Sequence, residues 1–420
     1  MPARVVLGVG AGIAAYKACE LLRLLTESGH HVRVVPTPDA LRFVGEATWA
    51  ALSGEPVTTD AWTGVADVPH VRLGQSASLV LVAPATADLL ARAAAGMAGD
   101  LLTATLLTAR CPVLYAPAMH TEMWEHPATQ ANVSALRSRG AIVLEPSVGR
   151  LTGADSGAGR LPEPAEIFAV ATRLLARELT QGRGAGHARA ADWLRPDLAG
   201  RRVVVSAGGT REEIDPVRFI GNWSTGKQGY ALARTVVARG AEVIVVAANV
   251  ALPDPAGAKV TRVVSARDMQ DAVTAAAALG GNGVGADAVV MAAAVADYRP
   301  QTWSPAKMKK DGQPPEPLRL TENPDILAGL ALRREHDPGR QILVGFAAET
   351  DTAAAAAQAK LARKGCDFLV VNPVGKGLGF GTIDNEAVVY GADGSVTQIP
   401  RGPKADLADV VWDLVAARLR

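Results

Sequence analysis

Three groups of residues in this chain have types and spacing suited to chemistry. The octapeptide Gly221-Asn222-Trp223-Ser224-Thr225-Gly226-Lys227-Gln228 completes the G-x-x-x-x-G-K spacing of a phosphate-binding P-loop. Gln228, however, stands where a Ser or Thr hydroxyl would hold magnesium. Downstream, Lys307, Lys309 and Lys310 gather in AKMKK, and Lys360 and Lys364 follow. Joining a carboxylic acid to an amine needs an activated carboxylate. Attack on a nucleoside triphosphate needs several cations and a donor for the oxygen that gains charge, here the Asn222 amide. Near the N-terminus, Gly10, Gly12 and Ala15 fit a relaxed G-x-G-x-x-A turn, a weak signal alone. The next apolar run ends in Pro36-Thr37, without the acidic residue that holds a ribose in a dinucleotide site. Backbone amides at a helix start and the Thr37 hydroxyl suit a monophosphate better, hence FMN.

The elements that position these residues repeat one grammar twice. VVLGVG (5–10) is an apolar run into glycine, AGIAAYKACELLRLLTESG reads as a helix stopped at Gly29, and HVRVV (31–35) is the next strand. RRVVVSAGG (201–209), a helix from 226 ending at Gly240, and the strand AEVIVVAA repeat the pattern. Two β-loop-α-β units predict two doubly wound, three-layer α/β/α domains, flavodoxin-like at the N-terminus and Rossmann-like at the C-terminus. The Gly-, Ala- and Arg-rich stretch 179–200 reads as a linker between domains 1–178 and 201–420, with the boundary near residue 190. A P-loop requires a strand directly before its first glycine; here REEIDPVRFI, with Pro216 inside it, precedes Gly221. The stretch therefore reads as a polar loop at the carboxyl edge of an open sheet, where ligands bind.

Composition narrows the class. At 420 residues, 49% of them hydrophobic, the chain exceeds what one core usually organises. Lys+Arg 43 against Asp+Glu 42 leaves +1, which gives no polyanion-binding surface, so no nucleic-acid partner is expected. Cys19, Cys111 and Cys366 are far apart and form neither a disulfide framework nor a zinc motif. MPAR runs straight into VVLGVG, and no apolar run reaches spanning length. A cytoplasmic protein without membrane partners is the expectation.

The run SAGGTREEIDPVRFIGNWSTGKQGYALA resembles the signature of phosphopantothenoylcysteine synthetase, the ligase of coenzyme A biosynthesis. AAAVADYRP (292–300), AKMKK (306–310), ENPDIL (322–327), GFAAET (345–350) and the Lys360/Lys364 pair follow in that family's order. The N-terminal half resembles the flavin-dependent cysteine decarboxylases through GVGAGIAAYK (8–17), His70 in VPHVRL, APATAD (83–88), GMAGDLL (96–102) and PAMHTEMW (117–124). Fused in this order, the halves resemble bifunctional bacterial phosphopantothenoylcysteine decarboxylase/phosphopantothenate–cysteine ligase over nearly the whole chain. For the ligase the resemblance implies CTP as activator, with Asn222 stabilising an acyl-cytidylate and Lys307 binding the triphosphate. Gly208, Gly209, Thr210, Asp297, Pro324, Asp325, Ile326, Phe346, Lys360 and Lys364 would complete the CTP site. Arg218, Asn222 and Ala293 would meet the acid substrate. Mg²⁺ would be held largely by CTP phosphates, with no protein side chains assigned to it.

For the decarboxylase, loss of CO2 from cysteine leaves a carbanion with no electron sink; oxidising the thiol carbon supplies one and requires a two-electron acceptor such as a flavin. The resemblance implies FMN held by Gly10, Gly12, Ile13, Thr37, Thr86, Ala87 and Asp88, with His70 as base. It also implies substrate contacts from His120, Met123, Trp124, Gly153 and Arg160. His120 stands where the family usually has Asn. Gly153, in TGADSGAGR (152–160), stands where its flap cysteine would be, and Cys19 and Cys111 lie in apolar stretches that predict burial. The substrates implied are 4′-phosphopantothenate, L-cysteine and CTP. The assembly implied is a homo-oligomer, a dodecamer built from trimeric decarboxylase and dimeric ligase contacts. Rival readings are a flavoprotein oxidoreductase with a dinucleotide domain and a non-catalytic flavin-binding regulator.

Overall fold

The computed structural model describes residues 2–59, 68–151, 156–181, 197–278, 285–308, 317–334, 341–349, 354–375, 381–382 and 384–419. The chain forms two compact units, Met1–Pro196 and Asp197–Arg420. Gly153, Lys309, Lys310 and most of the expected linker lie outside the described residues.

In the first unit the strands β1 (Arg4–Val9), β2 (His31–Pro36), β3 (Leu79–Ala85), β4 (Val113–Pro117) and β5 (Ile142–Val143) form a parallel sheet in the order β2-β1-β3-β4-β5. This is the flavodoxin-like order, with its switch point between β1 and β3. Among the described residues these α-helices accompany it: α1 (Ala15–Glu27), α2 (Glu46–Ser53), α3 (Pro69–Ser76), α4 (Ala87–Ala95), α5 (Leu101–Thr108), α6 (Thr121–Glu125), α7 (Pro127–Ser138) and α8 (Pro164–Gln181). Successive residues of β1 serve opposite faces. Leu7 packs with Leu21, Trp49 and Ile167, whereas Val6 packs with Leu89, Leu102 and Val133. A sheet covered on both faces explains why its strands read as unbroken apolar runs. The helix after β1 begins at Ala15 rather than Ala11, because residues 11–14 form a turn in which the Ala15 N–H donates to the Gly12 carbonyl at 3.0 Å. An antiparallel hairpin, β6 (Ser147–Arg150) and β7 (Ser156–Arg160), rests against α6.

The second unit contains β8 (Arg202–Gly208), β9 (Arg211–Glu213), β10 (Phe219–Gly221), β11 (Glu242–Ala248), β12 (Ala258–Val263), β13 (Ala288–Met291), β14 (Tyr298–Pro300), β15 (Leu320–Glu322), β16 (Ile342–Glu349), β17 (Phe368–Pro373), β18 (Asp384–Gly391) and β19 (Val396–Pro403). Its helices are α9 (Lys227–Ala238), α10 (Ala266–Ala277), α11 (Ile326–Arg334), α12 (Ala354–Lys364) and α13 (Lys404–Leu419). The main sheet runs β12-β11-β8-β13-β16-β17-β18-β19, and its first six strands are parallel in the Rossmann order. Two strands depart from the parallel sheet that the sequence predicts. β18 pairs antiparallel with β17, and β19 pairs antiparallel with β18 because the turn Ala392–Ser395 joins those two directly and leaves no crossover helix. One face of the sheet packs on α9 and α13 through Tyr230, Leu232, Val411 and Trp412, and the other on α10, α11 and α12 through Met269, Leu330 and Leu361. Gly29 and Gly240, at φ +81° and +85°, end their helices in the left-handed conformation that glycine adopts without steric cost.

The start of α9 lies hard against β8. A Cβ on Gly229 would sit 2.6 Å from Ala207 Cβ and 2.9 Å from the Ser206 carbonyl. Gly229→Ala should therefore destabilise the second unit by about 1–3 kcal/mol, read as an earlier denaturation midpoint. The three cysteines form no disulfide, with Cys111 and Cys366 buried and Cys19 half-buried. Burial raises the Cys19 thiol pKa and pushes that of Cys366 up to about 11. Raised thiols hold little nucleophilic thiolate at pH 8. Native protein at that pH should react far more slowly with a thiol-specific reagent than the unfolded chain does, and equal rates would contradict the burial described.

Two candidate active sites

At the switch point of the second unit, between β8 and β13, a cavity of about 770 Å³ opens at the carboxyl edge of the sheet. Its floor is the segment after β13, residues 292–297, held by polar groups of β8 and the loop beyond it. The Ala293 N–H donates to Ser206 Oγ at 3.1 Å, Ala294 N–H to the Gly208 carbonyl at 2.8 Å, and Ala296 N–H to Thr210 Oγ1 at 2.9 Å. Asn222 closes one side, its Nδ2 donating to the Ala294 and Val295 carbonyls at 3.3 and 3.2 Å. Asn323 fastens the next segment to the same floor, donating through Nδ2 to the Ala296 carbonyl at 2.9 Å. Of the residues singled out in the sequence, the cavity brings together Asn222, Ala293, Asp297, Pro324, Asp325, Ile326, Phe346, Lys360 and Lys364.

Others stand outside the lining. Gly208, Gly209 and Thr210 support the floor from beneath. Lys307 is exposed and is not among the lining residues. Its neighbour Met308 is anchored by the buried Asp215, which accepts from Met308 N–H at 3.2 Å, from the Val217 and Arg218 N–H groups, and from the Arg218 side chain. Burial alone would raise the Asp215 carboxyl pKa, but these donors outweigh it and hold the group well below the usual carboxylate range. Arg218 is thereby committed to Asp215 and to the Met308 carbonyl, at 2.6 and 2.7 Å. The near-P-loop is also explained. The Gln228 side chain donates to the Lys404 carbonyl at 3.1 Å and accepts from Asn385 Nδ2 at 3.2 Å, so it ties α9 to α13 and β18. Lys227, Asn372, Asn385 and Lys404 line the cavity although the sequence reading gave them no role. Lys227 was visible in the opening octapeptide, but the other three sit in stretches with no local signal and reach the cavity only through sheet order.

In the first unit, the loops after β1, β2 and β3 meet at the carboxyl edge. Gly10 N–H donates to the Pro84 carbonyl at 3.0 Å, and Thr37 N–H to the Val9 carbonyl at 2.9 Å. Thr86 caps α4, its hydroxyl accepting from Leu89 N–H at 3.3 Å; Ala87 and Asp88 open that helix, with Asp88 outward beside Arg92. Gly12 has only the Thr86 methyl group near the position of a Cβ, at 3.9 Å, and Ile13 is 71% exposed beside it. Among the described residues, three buried side-chain polar atoms have no hydrogen-bond partner: Thr37 Oγ1, His70 Nδ1 and Thr121 Oγ1. All three belong to this unit. A buried hydroxyl without a partner is costly unless a ligand completes it. Thr37 therefore fits the phosphate-bearing part of a flavin mononucleotide.

His70 lies in α3, two residues after Val68, whose φ of +44° is a strained conformation for a β-branched residue. The Thr108 hydroxyl holds the His70 carbonyl at 2.7 Å. His120 precedes α6 and is exposed, as is Met123. Trp124 instead points into the core with Val133 and Leu136, because α6 turns its third residue outward and its fourth inward. Arg160 is ion-paired to Glu163, which also takes Lys17 at 3.2 Å. Among the described residues no group of three His, Cys, Asp or Glu side chains could hold a metal ion, and no helix is long and apolar enough to cross a membrane.

Residues 2–176 match the flavoprotein family, and residues 198–419 match the DNA/pantothenate metabolism flavoprotein C-terminal domain. The coenzyme A biosynthesis bifunctional protein CoaBC of Mycobacterium tuberculosis is 55% identical over 426 residues, covering 100% of this chain and 97% of the relative. The protein of the same name from Bacillus subtilis is 40% identical over 418 residues, covering 98% and 96%. Among solved structures, the C-terminal domain of a CoaBC protein is similar at 35% identity with a TM-score of 0.44, covering 53% of this chain and 98% of that one. The FMN-dependent cysteine decarboxylase SpaF is similar at 32% with a TM-score of 0.36, covering 42% and 97%. With full-length identity of this order and both domain families in sequence, the chain belongs to the coenzyme A biosynthesis bifunctional family and is a bifunctional enzyme, a decarboxylase in its flavoprotein half and a ligase in its C-terminal half.

Proposed function

We propose that the C-terminal half (201–420) joins 4′-phosphopantothenate to L-cysteine with CTP, and that the N-terminal half (1–178), across the segment 179–200, decarboxylates the product to 4′-phosphopantetheine. The observation that carries this reading is the gathering of Asn222, Asp297, Phe346, Lys360 and Lys364 around one cavity at the sheet's switch point. A substrate carboxylate oxygen bonds to the α-phosphorus of CTP, the bond to the bridging oxygen breaks, and pyrophosphate leaves. The cysteine amine then attacks the acyl carbon, CMP leaves, and the amine proton passes to solvent. Asn222, beside Ala293, turns its amide from the Ala294 and Val295 carbonyls to donate to the acyl oxygen as charge develops on it. Asp297 and Phe346 contact the nucleotide, and the lysines compensate its phosphates, which hold the Mg²⁺. Lys307 and Arg218 stand outside the cavity lining, on the segments that Asp215 anchors, and would have to leave those positions to meet the nucleotide and the acid.

In the other half, Gly10, Gly12, Thr37 and Thr86 would hold FMN, with Ile13, Ala87 and Asp88 beside them. Bound there, the flavin would take two electrons from the thiol-bearing carbon, so that CO2 can leave, and would return them to the decarboxylated product with no net oxidation. His70 takes the substrate's proton, and its buried Nδ1 has no hydrogen-bond partner among the described residues. His120, Met123 and Arg160 face the substrate, with Trp124 supporting them from the core. The flavin half works as trimers and the ligase half as dimers of one cytoplasmic homo-oligomer, a dodecamer.

Incubating full-length protein with phosphopantothenate, cysteine and CTP, and following products by mass, tests both halves. His70→Asn should accumulate phosphopantothenoylcysteine with CMP release intact; undiminished phosphopantetheine would remove His70 from the mechanism. Asn222→Asp should bind CTP yet lose CMP formation by about 10²–10³ or more, because it removes a donor and adds like charge. Gln228→Ser should gain no magnesium-dependent turnover, since Gln228 is a tie between α9 and α13. A faster Gln228→Ser enzyme would restore the P-loop reading.

A further inference from the structure

The lysines that the sequence singled out in the ligase cavity are already compensated. Lys360 pairs with Glu349 at 2.7 Å, and Lys364 pairs with Asp325. A second pair of ammonium groups lines the same cavity, Lys227 and Lys404. Each is the first residue of its helix, α9 and α13, and the Gln228 bridge fastens those two helix starts together. Lys227 Nζ donates to the Gly381 carbonyl at 2.7 Å and Lys404 Nζ to the Asp384 carbonyl at 3.3 Å. Lys404 is only 7% exposed.

Packing alone does not favour this arrangement. Burying an ammonium group is costly, a cation in a first helical turn faces the positive end of the helix dipole, and two cations repel. Burial, and then the charge of Lys227, draw the Lys404 ammonium below the ordinary lysine range, against a smaller opposing effect of Asp384. A purely structural tie between α13 and β18 would need neither the second lysine nor a position on the cavity wall. Both are accounted for by an anion that arrives with the substrates.

We propose that Lys227 and Lys404 form a phosphoryl-binding subsite of the ligase cavity, filled either by the β,γ-phosphates of the nucleotide or by the phosphate of the pantothenate substrate. This rests on the reading given under Proposed function, and the two fail separately. Calorimetric titration of full-length wild type, Lys404→Met, Lys404→Arg and Lys227→Met with CTP, CMP, 4′-phosphopantothenate and pantothenate decides it. If the nucleotide fills the subsite, both Met variants bind CTP about 10- to 100-fold more weakly, the range for losing a charged hydrogen-bond donor, while CMP is unchanged. If the substrate phosphate fills it, phosphopantothenate weakens by the same factor and pantothenate does not. In either case Lys404→Arg keeps most of the affinity. Unchanged binding of all four ligands overturns the subsite, and so does equal weakening of CTP and CMP with phosphopantothenate unaffected. Should Lys404→Met fail to fold, the half-buried Lys227→Met carries the same comparison. Wild type that binds neither nucleotide nor phosphopantothenate overturns the reading of the cavity itself.

Discussion

The ligase cavity depends on how closely the chain can pass itself at the end of β8. A Cβ on Gly208 would lie 2.0 Å from the Ala248 carbonyl, and one on Gly209 would lie 2.8 Å from the Asn222 carbonyl. Neither separation is possible for real atoms, and Gly208 also sits at φ +86°. Because both positions are glycine, the β11 exit packs on one side and the Asn222 segment on the other. The 292–297 floor then hangs from Ser206, Gly208 and Thr210. The polar atoms left at that edge are therefore the ones that line the cavity.

The cavity is also an electrostatic compromise. On the proposed function, its cations must be strong enough to meet polyphosphate yet tolerable when no phosphate is present. Pairing Lys360 and Lys364 with Glu349 and Asp325 meets the second need, since the carboxylates stabilise the ammonium groups until a stronger anion competes. These pairs are half-exposed, so each contributes little to folding and can be exchanged readily. Asp215 solves a different problem. It is buried and takes donors from three backbone N–H groups and one guanidinium, so it fixes the exposed loop that carries Lys307 from below.

The flavin half shows the complementary arrangement, with polar groups left unfinished. Thr37, His70 and Thr121 each bury an atom with no partner, in a unit whose strand order opens a crevice between β1 and β3. The Cβ of any residue larger than glycine at 157 would meet Thr121 Oγ1 at 2.3 Å, so the hairpin strand β7 packs closely over the residue that follows His120.

Much of this was legible in the sequence. Apolar runs into glycine located β1 and β8, because a parallel strand buried on both faces needs unbroken hydrophobicity and the turn after it needs glycine. Asn222, Asp297, Phe346 and the Lys360/Lys364 pair were visible because each lies in a local motif. Other features were set only by tertiary structure. The role of Gln228 depends on Lys404 and Asn385, which are remote in sequence and meet it only when α13 packs beside α9. The antiparallel β18–β19 edge follows from a short turn that leaves no room for a crossover helix. Lys404 carries no local signal, because a lysine opening a helix reads as a solvated charge. Only the packing of the last helix against α9 and β18 buries it on the cavity wall, where the cost of desolvating an ammonium group makes its position chemically meaningful.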